Sequence, residues 1–226
     1  MTVAATPILN SAQTAPHSAC VLLRRISWET YEMLLRDIGK QRLLITFDRG
    51  DLEIMAPAIY HEHYKRVIGR LIETLTMALD VPILSAGNTT FKRKDLEKGL
   101  EPDEGYYIQH ERQIQDKLQR GVKTLDLTKD PPPDLVVEMD YTHHAINREA
   151  IYAALGVPEI WRFNVNRLEV LLLGSDGAYS ISRTSLALPF LPIDQLERFL
   201  HLSVTTPETT LVRSFHEWVK QNIRIS

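Results

Sequence analysis

The chain has 226 residues, room for one sizeable domain or two small ones, and its 44% hydrophobic content is enough for a real core. Its formal charge of −3 excludes a general affinity for nucleic acid or anionic membrane, so either would need a local patch. The single cysteine, Cys20, excludes an intrachain disulfide and fits a reducing, cytoplasmic compartment. No apolar run approaches the ~20 residues of a membrane span, so no membrane partner is expected.

Residues 1–20 hold no Lys or Arg and are rich in small and polar residues, which predicts a flexible tail ahead of a single domain over 21–226. "SWETYEMLLRDIG" predicts a helix with Ser27 as its cap, Gly39 as its stop and Trp28, Tyr31, Leu35 and Ile38 on one face. "LLITFDRGDLEIM" predicts a β-hairpin turning at Gly50. "HEHYKRVIGRLIETLTMALD" has the clearest helical period, with a stripe of Tyr64, Val67, Ile68, Leu71, Ile72, Leu75 and Leu79. "VPIL" is expected to be a short strand, and a second strand runs from about Glu104 to Ile108. A charged connector follows, ending in the prolines 131–133. "DLVVEMD" is the next strand, "REAIYAALGV" a short helix stopped at Gly156, and "EIWRFNV", "RLEVLLL" and "GAYSISR" three more strands. Helices at about 193–201 and 207–222 complete an α/β or α+β domain with a mixed sheet.

Strand residues alternate between faces, so in "DLVVEMD" Val136, Glu138 and Asp140 point one way and Leu135, Val137 and Met139 the other. Valine-rich runs of this kind belong to strands covered on both faces. Two acids on one face at the end of such a strand repel and lose solvation unless a cation joins them or the end opens to water. An isolated pair of this sort also reads as a solvated strand end. By the repulsion argument, losing Glu138 would leave stability level or raise it. "EPDEGYYI" places a further acid, Asp103, at the start of another strand. If the two strands are neighbours, Asp103, Glu138 and the backbone carbonyl of Met139 offer hard oxygens to Mg²⁺ or Mn²⁺, ions that need few carboxylates and keep several waters.

"EPDEGYYI", "PPDLVVEMD" and "IYAALGVPEIWRFN", in this order and together with "MAPAIYHEH" and "GNTTFKRKDLEKGLEPDE", resemble the restriction endonuclease family abundant in cyanobacteria, formerly a domain of unknown function. That family belongs to the PD-(D/E)XK nuclease superfamily, and the resemblance runs from about Ile26 to the final strands. It implies a restriction-endonuclease-like core, a mixed central sheet flanked by helices, here with an N-terminal helix and β-hairpin. It also implies Mg²⁺-dependent phosphodiester hydrolysis, with DNA as the expected partner. By the resemblance Asp103 is the Asp of the PD motif and Glu138 the acid of (D/E)XK, both binding the metal. The lysine expected two residues on is replaced by Asp140. Where family members move that lysine to the next helix, four residues before its Tyr, this chain has Arg148 ahead of Tyr152. Arginine stabilises phosphoryl charge but stays protonated and is no general base. Lys92, in "TTFKRK", is the nearest lysine in sequence to Asp103.

The superfamily also uses a residue near the start of its first core helix, often Glu. The helical wheel favours His61 and the superfamily habit favours Glu62; both are candidates beside the metal, and both also suit a plain helix start. His143 and His144 follow the acidic strand as candidates for phosphate or metal contact. Nucleases that cut both strands match the two-fold axis of the duplex, so a homodimer is expected. A catalytically weak or inactive nuclease fold that binds nucleic acid or serves as an assembly module is the alternative reading.

Overall fold

A computed structural model describes residues 19–39, 43–139 and 144–224. Most of the expected tail lies outside these residues, but Ala19 and Cys20 already belong to the first strand. Asp140 and His143 also lie outside them.

Among the described residues there are six α-helices and two sheets. The first sheet has five strands in the order β1 (Ala19–Leu23), β3 (Asp51–Ala56), β2 (Leu44–Asp48), β6 (Lys98–Leu100), β5 (Phe91–Arg93), every pair antiparallel. β2 and β3 form the expected hairpin. Its two-residue turn places Arg49 at φ 46° and Gly50 at φ 95°, the positive values that let a tight turn match the strand twist. The hairpin is therefore the middle of a sheet and not an appendage. Three of the sheet's strands escape sequence reading because they lie in a stretch that reads as a tail or are three charged or short residues long.

α1 (Trp28–Ile38) lies on this sheet. Ser27 caps it by accepting from the Thr30 amide, and Trp28 and Tyr31 pack against Phe47 with Tyr31 stacked at 4.8 Å. Gly99 lets α1 come this close: a Cβ there would collide with the Tyr31 hydroxyl and lie 2.9 Å from the Lys92 Cβ.

The second sheet has the order β11 (Tyr179–Ser182), β10 (Leu168–Leu173), β9 (Glu159–Phe163), β8 (Leu135–Met139), β7 (Glu104–Tyr107), β4 (Leu84–Ser85). It is mixed: β8 and β9 run parallel and the other pairs antiparallel. The acidic strand β8 is thus central, and all five of its residues are buried, as its near-continuous apolar run requires. α2 (Ile59–Ala78), α5 (Ile193–Leu202) and α6 (Glu208–Asn222) cover the face that carries Leu135, Val137, Met139, Trp161 and Phe163. α4 (Arg148–Leu155) covers the opposite face, with Ile151 and Tyr152 against Val136 and Ile160. Asn147 caps α4 and Gly156, at φ 79°, stops it. The charged connector holds a further helix, α3 (Glu111–Gln119), in which Ile114 is the one buried residue. No described helix is long and apolar enough to cross a membrane.

Candidate active site at the end of the acidic strand

β7 and β8 are neighbours in one sheet. Their register pairs Tyr106 with Leu135, Gly105 with Val136 and Glu104 with Val137. One step further along sets Asp103 opposite Glu138, at the end of both strands. The Met139 amide donates to Asp103 Oδ2 at 2.7 Å. A strand residue's N–H and C=O point to the same neighbour, so the Met139 carbonyl also opens on the Asp103 side.

His61, in the first turn of α2, is buried, and its Nε2 lies 3.1 Å from Asp103 Oδ2. Burial would lower the imidazolium, but Asp103, with Glu62 and Glu138 behind it, outweighs burial and raises His61 above the ordinary histidine value. Burial likewise pushes Asp103 up, and His61, the Met139 amide and Arg148 reverse that and hold it below the usual range. Glu62 stays near the surface, its Oε1 3.6 Å from His61 Nδ1. The wheel's choice of His61 and the superfamily's choice of Glu62 thus meet in one chain of contacts: Asp103 to His61 to Glu62.

Arg148, the first residue of α4, turns its guanidinium onto Glu138. Nη2 donates to Glu138 Oε1 at 2.6 Å and to the Glu101 carbonyl at 2.7 Å, while Nη1 donates to Thr46 Oγ1 at 2.5 Å. The Tyr152 hydroxyl, one turn along α4, also donates to Glu138 Oε1. Burial lowers the Arg148 guanidinium, and Glu138 with Tyr152 more than offsets that, leaving it fully charged. The repulsion argument for Glu138 is therefore overturned. Its Oε1 is paired with a buried arginine and a tyrosine, so removing it would strand a cation.

Lys92 is not brought to this cluster. It stands opposite Gly99 on the α1 face of the first sheet and gives its Nζ to Glu32 at 2.7 Å. Arg148 meets that sheet at Thr46, which pairs with Leu100 on the other face. His144 lines a cavity together with Glu138 and Arg148, but its Nδ1 is engaged by a different acid, lying 2.6 Å from Oε1 of Glu53, a buried acid of β3. The other oxygen of Glu53 accepts from the Ala145 amide at 2.6 Å and from Ile146 at 3.4 Å. Glu53 thus clasps the chain just before Arg148. Sequence reading missed Glu53 and Thr46, whose signal was faint: a charge and a hydroxyl inside runs that otherwise read as buried strand.

The donor set bears on metal binding in two ways. Asp103 Oδ1 is buried without a hydrogen-bond partner among the described residues, and Glu138 Oε1 alone takes the contacts of Arg148 and Tyr152. Among the described residues Asp103 thus offers Oδ1 to a hard cation, and the Arg148 and Tyr152 contacts of Glu138 both fall on Oε1. No set of three or more His, Cys, Asp or Glu side chains among the described residues forms a ready cage. The arrangement fits an ion that keeps much of its water.

A mixed sheet between helices, with paired acids at the end of its central strand, defines a restriction-endonuclease-like protein. The chain belongs to the Uma2 family, described as "Putative restriction endonuclease", which matches residues 28–221. No curated protein matches the chain.

Proposed function

We propose that this protein hydrolyses phosphodiester bonds of DNA at the end of β8, with Mg²⁺ or Mn²⁺ held by Asp103, Glu138 and the Met139 carbonyl. The observation that carries the reading is Asp103 opposite Glu138 across β7 and β8, with a buried oxygen of Asp103 unbonded among the described residues, in a chain of a nuclease family. A divalent ion held there would polarise the phosphate and lower the pKa of an attacking water.

The chain's own groups do the rest. His61 and the Met139 amide fix Oδ2 of Asp103, so that Oδ1 faces the site. Arg148 and Tyr152 fix Oε1 of Glu138 in the same way. Arg148 balances the second carboxylate and keeps the pair from repelling when no ion is bound. Its Nη1 and Nη2 are spent on protein acceptors, so it holds the acid and does not reach substrate. A homodimer would set two such sites on the two strands of a duplex.

One observation favours a second reading, in which the fold binds nucleic acid without cutting it. Arg148 occupies part of the carboxylate that an ion would need. Plasmid DNA separates the two. Cleavage with Mg²⁺ or Mn²⁺, stopped by EDTA and by Asp103→Asn, supports hydrolysis. Salt-sensitive retardation of intact DNA supports binding alone.

A further inference from the structure

We infer that Lys65, on α2, is the cation that contacts the substrate's phosphate at this site. The inference rests on the nuclease reading and names the residue that takes the phosphate.

Lys65 follows His61 by one helical turn, which sets both on the same face of α2. Helix side chains lean towards the N-terminus, so Lys65 leans towards His61 and the acids. Its side chain is only 14% exposed, and its nearest ion-pair partner among the described residues is Glu62 Oε1 at 3.9 Å, beyond hydrogen-bond reach.

Other shielded cations are engaged much more closely. Lys98 Nζ is 2.7 Å from Asp48, Lys117 Nζ 2.6 Å from Asp130, and Arg148 Nη2 2.6 Å from Glu138. Lys65 therefore has a largely covered side chain whose ammonium has no hydrogen-bonded acceptor among the described residues.

Measured contacts lead from Lys65 to the metal acid. Lys65 Nζ lies 3.9 Å from Glu62 Oε1, Glu62 Oε1 lies 3.6 Å from His61 Nδ1, and His61 Nε2 lies 3.1 Å from Asp103 Oδ2. An ammonium is a compact point charge suited to one phosphate oxygen, and its three donors can rotate to meet it. Lys92 is held by Glu32 on the far face of the first sheet, and Arg148 reaches substrate only by abandoning Glu138.

The test uses the full chain with Lys65→Met, which keeps an apolar stem in place, and Lys65→Arg, which keeps the charge. Single-turnover cleavage of a DNA duplex in Mn²⁺ is expected to fall ~100-fold in Lys65→Met and to recover in part in Lys65→Arg. The Mn²⁺-induced rise in melting temperature should be the same as in wild type, since Lys65 binds no metal.

A second arm removes cleavage with Asp103→Asn and measures duplex binding against salt. Adding Lys65→Met should reduce the slope of log K against log salt by about 0.9, one phosphate contact. Unchanged cleavage with an unchanged slope would overturn the role of Lys65 and leave the nuclease reading standing. Absence of cleavage in wild type would overturn the nuclease reading, while the slope would still decide the phosphate contact. A lost Mn²⁺ response in Lys65→Met would make Lys65 a support of the metal acids, and the inference would fail.

Discussion

At the scale of single residues, the pair of Glu138 and Arg148 sets the energetics of the site. A buried arginine stripped of its carboxylate is costly, so Glu138→Ala should lose ~3–5 kcal/mol in urea denaturation. An unchanged midpoint would show that Arg148 finds its balance elsewhere. Replacing both residues, Glu138→Gln with Arg148→Met, should cost less than the single change, because no lone charge remains. Arg148→Lys keeps the charge but cannot span Thr46, Glu101 and Glu138 together, and should lose ~1–3 kcal/mol while metal-dependent cleavage is retained. Strand alternation and the Pro-Asp start made Asp103 and Glu138 legible in the sequence. The partners of Arg148 were not legible: Thr46 lies 102 residues away and Glu101 47, and no local period links such positions.

At the scale of elements, the first sheet works as a support for α4. Glu53 of β3 clasps residues 144–146, so the entry to α4 is fixed from another sheet. Burial pushes Glu53 up, but His144 and the Ala145 and Ile146 amides act on the ionised form and hold it below the ordinary glutamate value. An acid held low contributes stability above its ordinary pKa and loses it as pH falls through the lowered value. Melting temperature should therefore drop more steeply below about pH 4 in wild type than in Glu53→Gln. Parallel curves would remove the clasp from the acid limb. Gly99→Ala should push α1 off the sheet, seen as lower stability and a changed Trp28 environment, since Tyr31 has no room to yield. The long helix α2 and the hairpin were legible because each repeats its period over many residues. β5 and β6 were not, being three residues each, and α3 was hidden because one buried isoleucine leaves almost no stripe.

At the scale of the whole molecule, two sheets meet at one guanidinium. Thr46 belongs to the first sheet and Glu138 to the second, so Arg148 joins them where the metal is proposed to sit. Ion binding should then be read by the melting of the entire chain. With Mn²⁺ at a hundred times its Kd, wild type should gain about 2.7 kcal/mol and Asp103→Asn almost none. Equal gains in both would place the ion elsewhere.

The parallel pair in the second sheet has a consequence for assembly. Parallel neighbours need a crossover, and between β8 and β9 that crossover contains α4. Arg148 stands ten residues after Glu138 on the same connection. The loop closure that docks β9 beside β8 also delivers the guanidinium, at the small entropic cost of a short loop. Before docking, both charges are in water; after it, each has the other. Glu138 and Arg148 can thus enter the interior as a pair, neither desolvated alone, and a block at this crossover should trap the chain with both charges still hydrated.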